Sequence, residues 1–210
     1  KLLEMKLGGM RFDHFASVYE EHTGKIAVEN LRPSWLIFSA GFAKSRVFTA
    51  VKRAMDVVLS GIGLIVAGPI ILALAAAVRL TSPGPAFYSQ RRVGRQGRVF
   101  EVHKLRSMCA NAEKDTGPVW AGGANDMRVT TLGRIMRRTR LDELPQLWNI
   151  FIGEMSLVGP RPERPEFVQQ LSREIPFYGQ RHIVKPGLTG WAQVRYTYGA
   201  SLEDAMEKLQ

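Results

Sequence analysis

The sequence predicts an α+β fold, mostly helical, in which one apolar membrane helix joins a compact domain carrying a small sheet or hairpin. Three observations carry this reading. Residues 57–78 contain no charged side chain; as a helix they would extend about 33 Å, enough to match a bilayer core. Residues 86–90 and 98–106 are short and β-prone, and a basic, glycine-containing turn separates them, the pattern of a hairpin. Leu141, Leu144, Leu147 and Trp148 recur at helical spacing behind a basic amphipathic segment at 129–140, so one face is expected to pack inward. A length of 210 residues suits one domain with an appendage.

Charge narrows the partner. Lysine and arginine total 29 against 19 acidic residues, a formal net charge of +10. That balance calls for an anionic partner: nucleic acid, an anionic membrane surface or a phosphorylated substrate. The arginines lack the interleaved aromatics of a single-strand nucleic-acid binder. The single cysteine, Cys109, rules out an internal disulfide and suits a reducing compartment. No glycine-rich nucleotide loop, HExxH motif or Cys/His zinc spacing occurs.

Residues 1–48 read as the tail of a preceding domain or a linker. Lys25-Ile26-Ala27-Val28 has the pattern of a short strand, and Trp35-Leu36-Ile37-Phe38 is a second apolar run behind Pro33. The first residue is Lys1 rather than methionine, and the chain reads as a piece of a longer protein.

The membrane segment is assigned to 49–80. Gly68 and Pro69 interrupt its middle, and a proline there lacks the N–H for one helix bond and bends the axis. Both flanks are basic, with Lys52 and Arg53 before and Arg79, Arg91, Arg92, Arg95 and Arg98 after. Positive flanks favour the cytoplasmic face, so a re-entrant helix hinged at Gly68 and Pro69 satisfies both facts. An ordinary span with a proline kink is the alternative. Asp56, beside Lys52 and Arg53, reads as a local ion pair rather than a catalytic acid.

Thr81-Ser82-Pro83-Gly84-Pro85 ends the segment as a turn cluster. On the second hairpin strand Phe100, Val102 and Lys104 share a face. Lys104 and Arg106 together can grip a phosphate, against the plainer reading of a solvated strand face. His103 reads as structural. Residues 108–127 are polar, with three glycines and Trp120, and read as an irregular, lid-like excursion. In 129–140, Leu132, Ile135 and Met136 are expected inward, and the arginines suit an anionic membrane surface.

Arg137, Arg138 and Arg140 lead directly into Asp142 and Glu143. On a helix these neighbours would stand about 100° apart. Cations at this density need an anion, and phosphate fits their geometry. A carboxylate among them stays ionised and can hold a metal or act as a nucleophile. A helix start with acids in its first turn is the plain alternative. Farther on, two prolines around Arg161 in Gly159-Pro160-Arg161-Pro162 fix its backbone and present it from a rigid loop. A helix is expected over 166–175. In the loop at 185–194, Trp191 can stack a nucleobase or fill the core. A final helix begins at Ser201, with Glu203 and Asp204 in its first turn.

The ordered set Lys52-Arg53-x-x-Asp56, Lys104-x-Arg106-Ser107-Met108, Leu141-Asp142-Glu143-Leu144-Pro145-Gln146, Gly159-Pro160-Arg161-Pro162 and Lys185-Pro186-Gly187-Leu188-Thr189-Gly190-Trp191-Ala192-Gln193 resembles the bacterial sugar transferases that act on polyprenol phosphate, the monotopic phosphoglycosyl transferases. The resemblance covers about 49–210. Leu31-Arg32-Pro33-Ser34-Trp35 is similar to the link that follows the soluble N-terminal domain of larger members, which initiate exopolysaccharide or O-antigen assembly.

The resemblance implies a re-entrant helix hinged at Pro69 and a cytoplasmic catalytic domain over 81–210, at the bacterial inner membrane. It implies that Asp142 attacks the β-phosphate of a UDP-sugar and expels UMP, and that polyprenol (undecaprenyl) phosphate then takes the phosphosugar. It further implies Mg2+ at Asp142, with Glu143 assisting as base or by positioning. Lys104, Arg137 and Arg161 would hold phosphate, with Arg106 counted beside Lys104 as substrate-binding; Thr189, Trp191 and Gln193 would meet the uridine or sugar. The implied partners are the UDP-sugar, polyprenol phosphate and inner-membrane lipid, with no nucleic acid; a homodimer is compatible. Gly68 stands where serine is frequent in the family, His103 where an aromatic is common, and Arg195 where asparagine is. None removes a catalytic group, and Arg195 bears on sugar specificity. The rival reading is a membrane-attached basic module that binds anionic lipid or nucleic acid without chemistry. Such a module has no need of adjacent carboxylates.

Overall fold

The computed structural model describes residues 2–10, 15–24, 45–110, 112, 117, 126–195 and 202–207. The expected strand at 25–28, the apolar run at 35–38 and most of the excursion at 108–127 lie outside these residues. Two short helices, α1 (Leu2–Leu7) and α2 (Phe15–Thr23), come first.

The dominant element is α3, Arg46–Thr81. It starts where the Ser45 hydroxyl accepts a hydrogen bond from the Phe48 amide at 3.1 Å, and it ends at Ser82, ahead of Pro83 and Gly84. It runs unbroken through Gly68 and Pro69. Asp56, Ser60, Ala67, Ile71, Ala75 and Val78 are buried, a stripe at the spacing of one helix face. Ile65, Val66 and Leu72 point outward. Among the described residues α3 is the one helix long and apolar enough to cross a membrane.

The hairpin pairs β1 (Phe87–Val93) with β2 (Val99–Leu105) antiparallel, setting Tyr88 opposite Lys104 and Arg92 opposite Phe100. The first strand is longer than expected. Val93 is buried and its amide donates to the Glu163 carbonyl at 2.9 Å, which draws Arg91 and Arg92 into the sheet. The turn tightens to a 3-10 segment, Arg95–Gly97, with Gln96 left-handed at φ 58°.

Helix α4 spans Thr131–Thr139, capped by the Thr130 hydroxyl, which accepts from the Gly133 amide at 2.9 Å. Met136 is fully buried and Leu132 packs against the core, but Ile135 is 58% exposed, contrary to expectation. Gly133 sets the rotation. A Cβ there would lie 1.9 Å from the Ser107 carbonyl oxygen, so the glycine face takes the close contact and Ile135 turns outward.

The central stretch is not one helix. Arg140 ends α4 in the left-handed region (φ 60°), Leu141–Glu143 form a 3-10 turn, and α5 (Gln146–Ile152) begins after Pro145. A 3-10 turn separates successive side chains by about 120°, wider than the helix expected there. Leu147 and Ile150 are buried, whereas Trp148 is 48% exposed and stacks on Phe151 at 5.9 Å, so it does not join the inward face.

Two short strands, β3 (Ser156–Val158) and β4 (Gly187–Thr189), pair in parallel. Between them lie α6 (Pro165–Glu174) and a 3-10 helix, Tyr178–Ile183. The chain continues through α7 (Trp191–Arg195) and α8 (Leu202–Glu207). One core joins Ala67, Ile71 and Val78 of α3 to Val102, Leu105, Met136 and Ile150; a smaller one gathers Leu171, Ile175 and Tyr178. The fold is α+β and mostly helical, with small sheets and one long apolar helix.

Candidate active site

The site forms where the 3-10 turn, the end of β2 and the loop after β3 meet. Left-handed Arg140 turns the chain sharply enough that both carboxylates of the turn face the protein rather than solvent. Asn149, fully buried on α5, fixes β2 beside that turn. Its amide nitrogen donates to the Glu101 carbonyl at 2.7 Å, and its oxygen accepts from the His103 amide at 3.1 Å. Lys104 is thereby aimed at the turn.

Glu143 has spent its charge. Its Oε1 accepts from Lys104 Nζ and from Arg161 Nη2, each at 2.9 Å, and Arg140 Nη1 lies 3.7 Å from Oε2. Burial alone would raise its pKa, but Lys104 and Arg161 together pull it down to about 2. Asp142 differs. Its Oδ1 is buried and has no hydrogen-bond partner among the described residues. Burial raises its pKa, and the neighbouring charge of Glu143 pushes the same way; Lys104 and Arg137 oppose the rise. Burial lowers the pKa of Lys104, against the pull of Glu143.

Most of the residues expected from the sequence converge here. Arg137 is held by its Nε bond to the Ser107 hydroxyl at 2.9 Å. Arg161 reaches Glu143 with one terminal nitrogen and the Gln193 side-chain oxygen with the other, at 3.3 Å. Thr189 enters through its backbone, accepting from the Gly159 amide at 2.9 Å. Contact between the two loops is close enough that a Cβ on Gly187 would lie 2.1 Å from the Gly159 nitrogen, which fixes Arg161 relative to Gln193. The Gln193 amide nitrogen is buried without a partner among the described residues. Trp191 is 69% exposed, with the Arg195 guanidinium over its ring at 4.8 Å, so it does not fill the core.

Arg106 is placed elsewhere. Its terminal nitrogens donate to the carbonyls of Pro83 and Ser82, each at 2.7 Å, so it clamps the end of α3 instead of sharing a face with Lys104. It lies beyond the end of β2, where strand alternation no longer sets its direction. Gly68 and Pro69 lie within α3, as part of the apolar helix. Asp56 pairs with Lys52 at 2.5 Å, as its neighbours suggest, and also accepts from the Ser156 hydroxyl at 2.9 Å and the Leu157 amide at 3.1 Å.

Three residues that support the site stand out only in the structure. Asn149 gave no sign. Arg92 lies two alternations along β1 from Tyr88, which pairs with Lys104, so hairpin register points to it. Arg181 reaches the site loop across 20 positions of sequence, which no short-range pattern reveals.

Among the described residues no three His, Cys, Asp or Glu side chains gather into a cage for a metal. The unspent Asp142 oxygen suits a hard ion that takes few protein ligands and fills its remaining positions with phosphate and water.

A family model described as bacterial sugar transferase matches residues 47–210. The chain is 42% identical over 197 residues to a UDP-N-acetylgalactosamine-undecaprenyl-phosphate N-acetylgalactosaminephosphotransferase of Aeromonas hydrophila, covering 94% of this chain and 45% of that one. It is 49% identical over 138 residues to a relative from Bacillus subtilis, covering 66% and 76% respectively. A UDP-glucose:undecaprenyl-phosphate glucose-1-phosphate transferase of Xanthomonas campestris is 40% identical over 183 residues, 87% of this chain and 36% of that one. The chain thus spans less than half the length of the Aeromonas and Xanthomonas relatives.

Proposed function

The chain belongs to the bacterial sugar transferase family, and from that premise we propose that it moves a phosphosugar from a UDP-sugar to polyprenol phosphate, with Asp142 as the nucleophile. The observation that carries this reading is the contrast within the turn. Glu143 is neutralised by Lys104 and Arg161, while the adjacent Asp142 keeps a buried oxygen with no donor among the described residues.

In the first step an Asp142 oxygen attacks the β-phosphorus of the donor. The bond from that phosphorus to the oxygen bridging the two phosphates breaks, and its electron pair leaves with UMP. In the second step an oxygen of polyprenol phosphate attacks the same phosphorus. The aspartyl–phosphate bond breaks, the carboxylate returns, and the product is a polyprenol diphosphate sugar.

Lys104, Arg137 and Arg161 supply the positive field that lets an anionic nucleophile approach an anionic diphosphate. Glu143, held at a pKa of about 2, is a weak base, so its part is to keep Lys104 and Arg161 in place until the diphosphate arrives. Magnesium bound at Asp142 would add Lewis-acid neutralisation of the diphosphate. Gln193, which meets Arg161, and the exposed ring of Trp191 two residues before it are the surface for the nucleoside or sugar.

Both ends of α3 are gripped by the same body, which supports a re-entrant placement with the catalytic domain on the cytoplasmic face of the inner membrane. Near the start, Lys52 donates to Ser156 at 2.5 Å; at the end, Arg106 holds the Ser82 and Pro83 carbonyls. Ends tied to one domain share one side of a bilayer, and a re-entrant path would take its bend at Pro69, where the helix lacks one N–H donor. Labelling of cysteines introduced near positions 50 and 82 tests this. Reaction from opposite sides would overturn it.

The test of the reaction is UMP release from a panel of UDP-sugars with magnesium and undecaprenyl phosphate. Release by the wild type and none by Asp142→Asn is expected. Turnover retained in Asp142→Asn would remove the nucleophile assignment, and failure of every donor would favour the rival, non-catalytic binding module.

A further inference from the structure

We propose that Arg92 and Arg181 are positioning residues that aim Arg161 at the phosphate of the substrate by clamping the backbone of its loop from two sides. The inference rests on Arg161 being a phosphate holder.

Four consecutive carbonyls of the loop each accept a hydrogen bond from a different donor. Pro160 accepts from the Gly187 amide at 2.9 Å, Arg161 from Arg181 Nη2 at 2.7 Å, Pro162 from Arg92 Nη1 at 3.0 Å, and Glu163 from the Val93 amide at 2.9 Å. Two of the four residues are prolines, which offer no N–H and hold φ nearly fixed. The loop therefore has little freedom of its own, and its remaining orientation is set by who holds its carbonyls. Strand β4 and the end of β1 supply backbone donors; the two middle carbonyls, that of Arg161 itself and that of Pro162 just after it, are held by guanidinium groups.

Each guanidinium is itself fixed. Arg92 donates to the Gln90 side-chain oxygen at 2.6 and 3.1 Å and pairs with Glu163 at 3.3 Å. Arg181 donates to the Tyr178 hydroxyl at 2.5 Å, and Tyr178 is buried in the smaller core with Leu171 and Ile175. Tyr178 thus ties the site loop to a second packing unit. Both arginines hydrogen-bond the backbone of the Arg161 loop, and it is through that loop that they set Arg161; the Arg92 charge is also felt at Lys104, so Arg181 gives the cleaner test. A charged donor on a backbone carbonyl is among the stronger protein hydrogen bonds, and small misplacement of a phosphate-binding side chain is costly.

The test is UDP binding by the full chain in detergent with magnesium, measured by calorimetry for Arg181→Ala, Arg92→Ala, Arg161→Ala and the double variants with Arg161→Ala. Each single clamp variant should weaken UDP binding by about tenfold, and neither should weaken it further once Arg161 is already alanine. Arg181→Lys, which keeps the charge but replaces the two-nitrogen fork by a single ammonium, should recover part of the loss. Tyr178→Phe removes the far anchor of Arg181 and should give a smaller loss in the same direction; it serves if an arginine variant fails to fold. Single variants that bind UDP like the wild type overturn the proposal. So do losses that multiply with Arg161→Ala, because a general structural role acts in both backgrounds. Normal UDP binding by Arg161→Ala itself would instead refute the phosphate-holding reading on which the proposal stands.

Discussion

Asp56 and Asp142 are buried almost equally, at 3% and 6% exposure, and each lies next to basic residues in sequence, yet they occupy opposite chemical situations. Asp56 is saturated. Lys52, the Ser156 hydroxyl and the Leu157 amide all donate to it, and together they moor α3 to β3. Asp142 sits in a turn whose cations are committed to its neighbour, and one of its oxygens is left over. Burial and nearby charge do not separate a structural carboxylate from a reactive one. What differs between these two is unspent hydrogen-bonding capacity, and the proposed reaction rests on that difference.

The widest separation between the two should come from matched substitutions. Asp142→Asn should reduce turnover by about a thousandfold or more without lowering thermal stability, since it removes a buried charge with an unpartnered oxygen. Asp56→Asn should do the reverse, costing about 2–4 kcal/mol in unfolding while the folded fraction turns over within about threefold of wild type. Thermal unfolding and UMP release measured on both variants check this, and equal loss of activity in both would erase the distinction.

Next in size is Glu143→Gln, which keeps the shape of the neighbour but frees Lys104 and Arg161 from their counter-ion. We expect kcat to fall about tenfold while affinity for UDP does not weaken, because the cations remain available to phosphate. Steady-state kinetics with calorimetric UDP titration separates the two quantities.

A smaller contrast lies in pH. Asp142 must be ionised to attack, and its pKa is raised by burial, so kcat should fall in acid with a midpoint above the ordinary aspartate value of 3.8. The pKa of Glu143 is shifted in the opposite direction, and stability carries that shift. Its folded pKa of about 2 lies below the reference 4.5, so its contribution is complete above about pH 4.5 and disappears as the pH falls toward 2. Unfolding of wild type and Glu143→Gln across that window should converge at the acid end. The smallest effect is expected for Ser156→Ala, which removes one of three donors to Asp56. It should cost about 1 kcal/mol and leave donor affinity unchanged.

Local pattern made much of this architecture legible. The uncharged run and the turn cluster after it placed α3, alternation placed the hairpin, and paired carboxylates behind arginines marked the turn where the candidate site forms. Periodicity failed where backbone conformation overrode it. Left-handed Arg140 and Pro145 split the central stretch, which turned Trp148 outward, and the tight approach of Gly133 to Ser107 did the same to Ile135. Arg106 diverged from Lys104 because two carbonyls at the end of α3 claimed it first. Asn149 and Arg181 were illegible for a different reason. Their partners are backbone atoms distant in sequence, and a carbonyl leaves no residue signature.

The central claim is that Asp142 carries the phosphosugar between donor and acceptor. The most direct test is mass spectrometry of the intact protein after rapid quenching with magnesium and a competent UDP-sugar, without polyprenol phosphate. If Asp142 is the carrier, the mass rises by one phosphosugar, mapped to Asp142, and the adduct is lost on adding the lipid and never forms in Asp142→Asn. A wild-type protein that turns over with the lipid present yet shows no adduct without it would contradict the account.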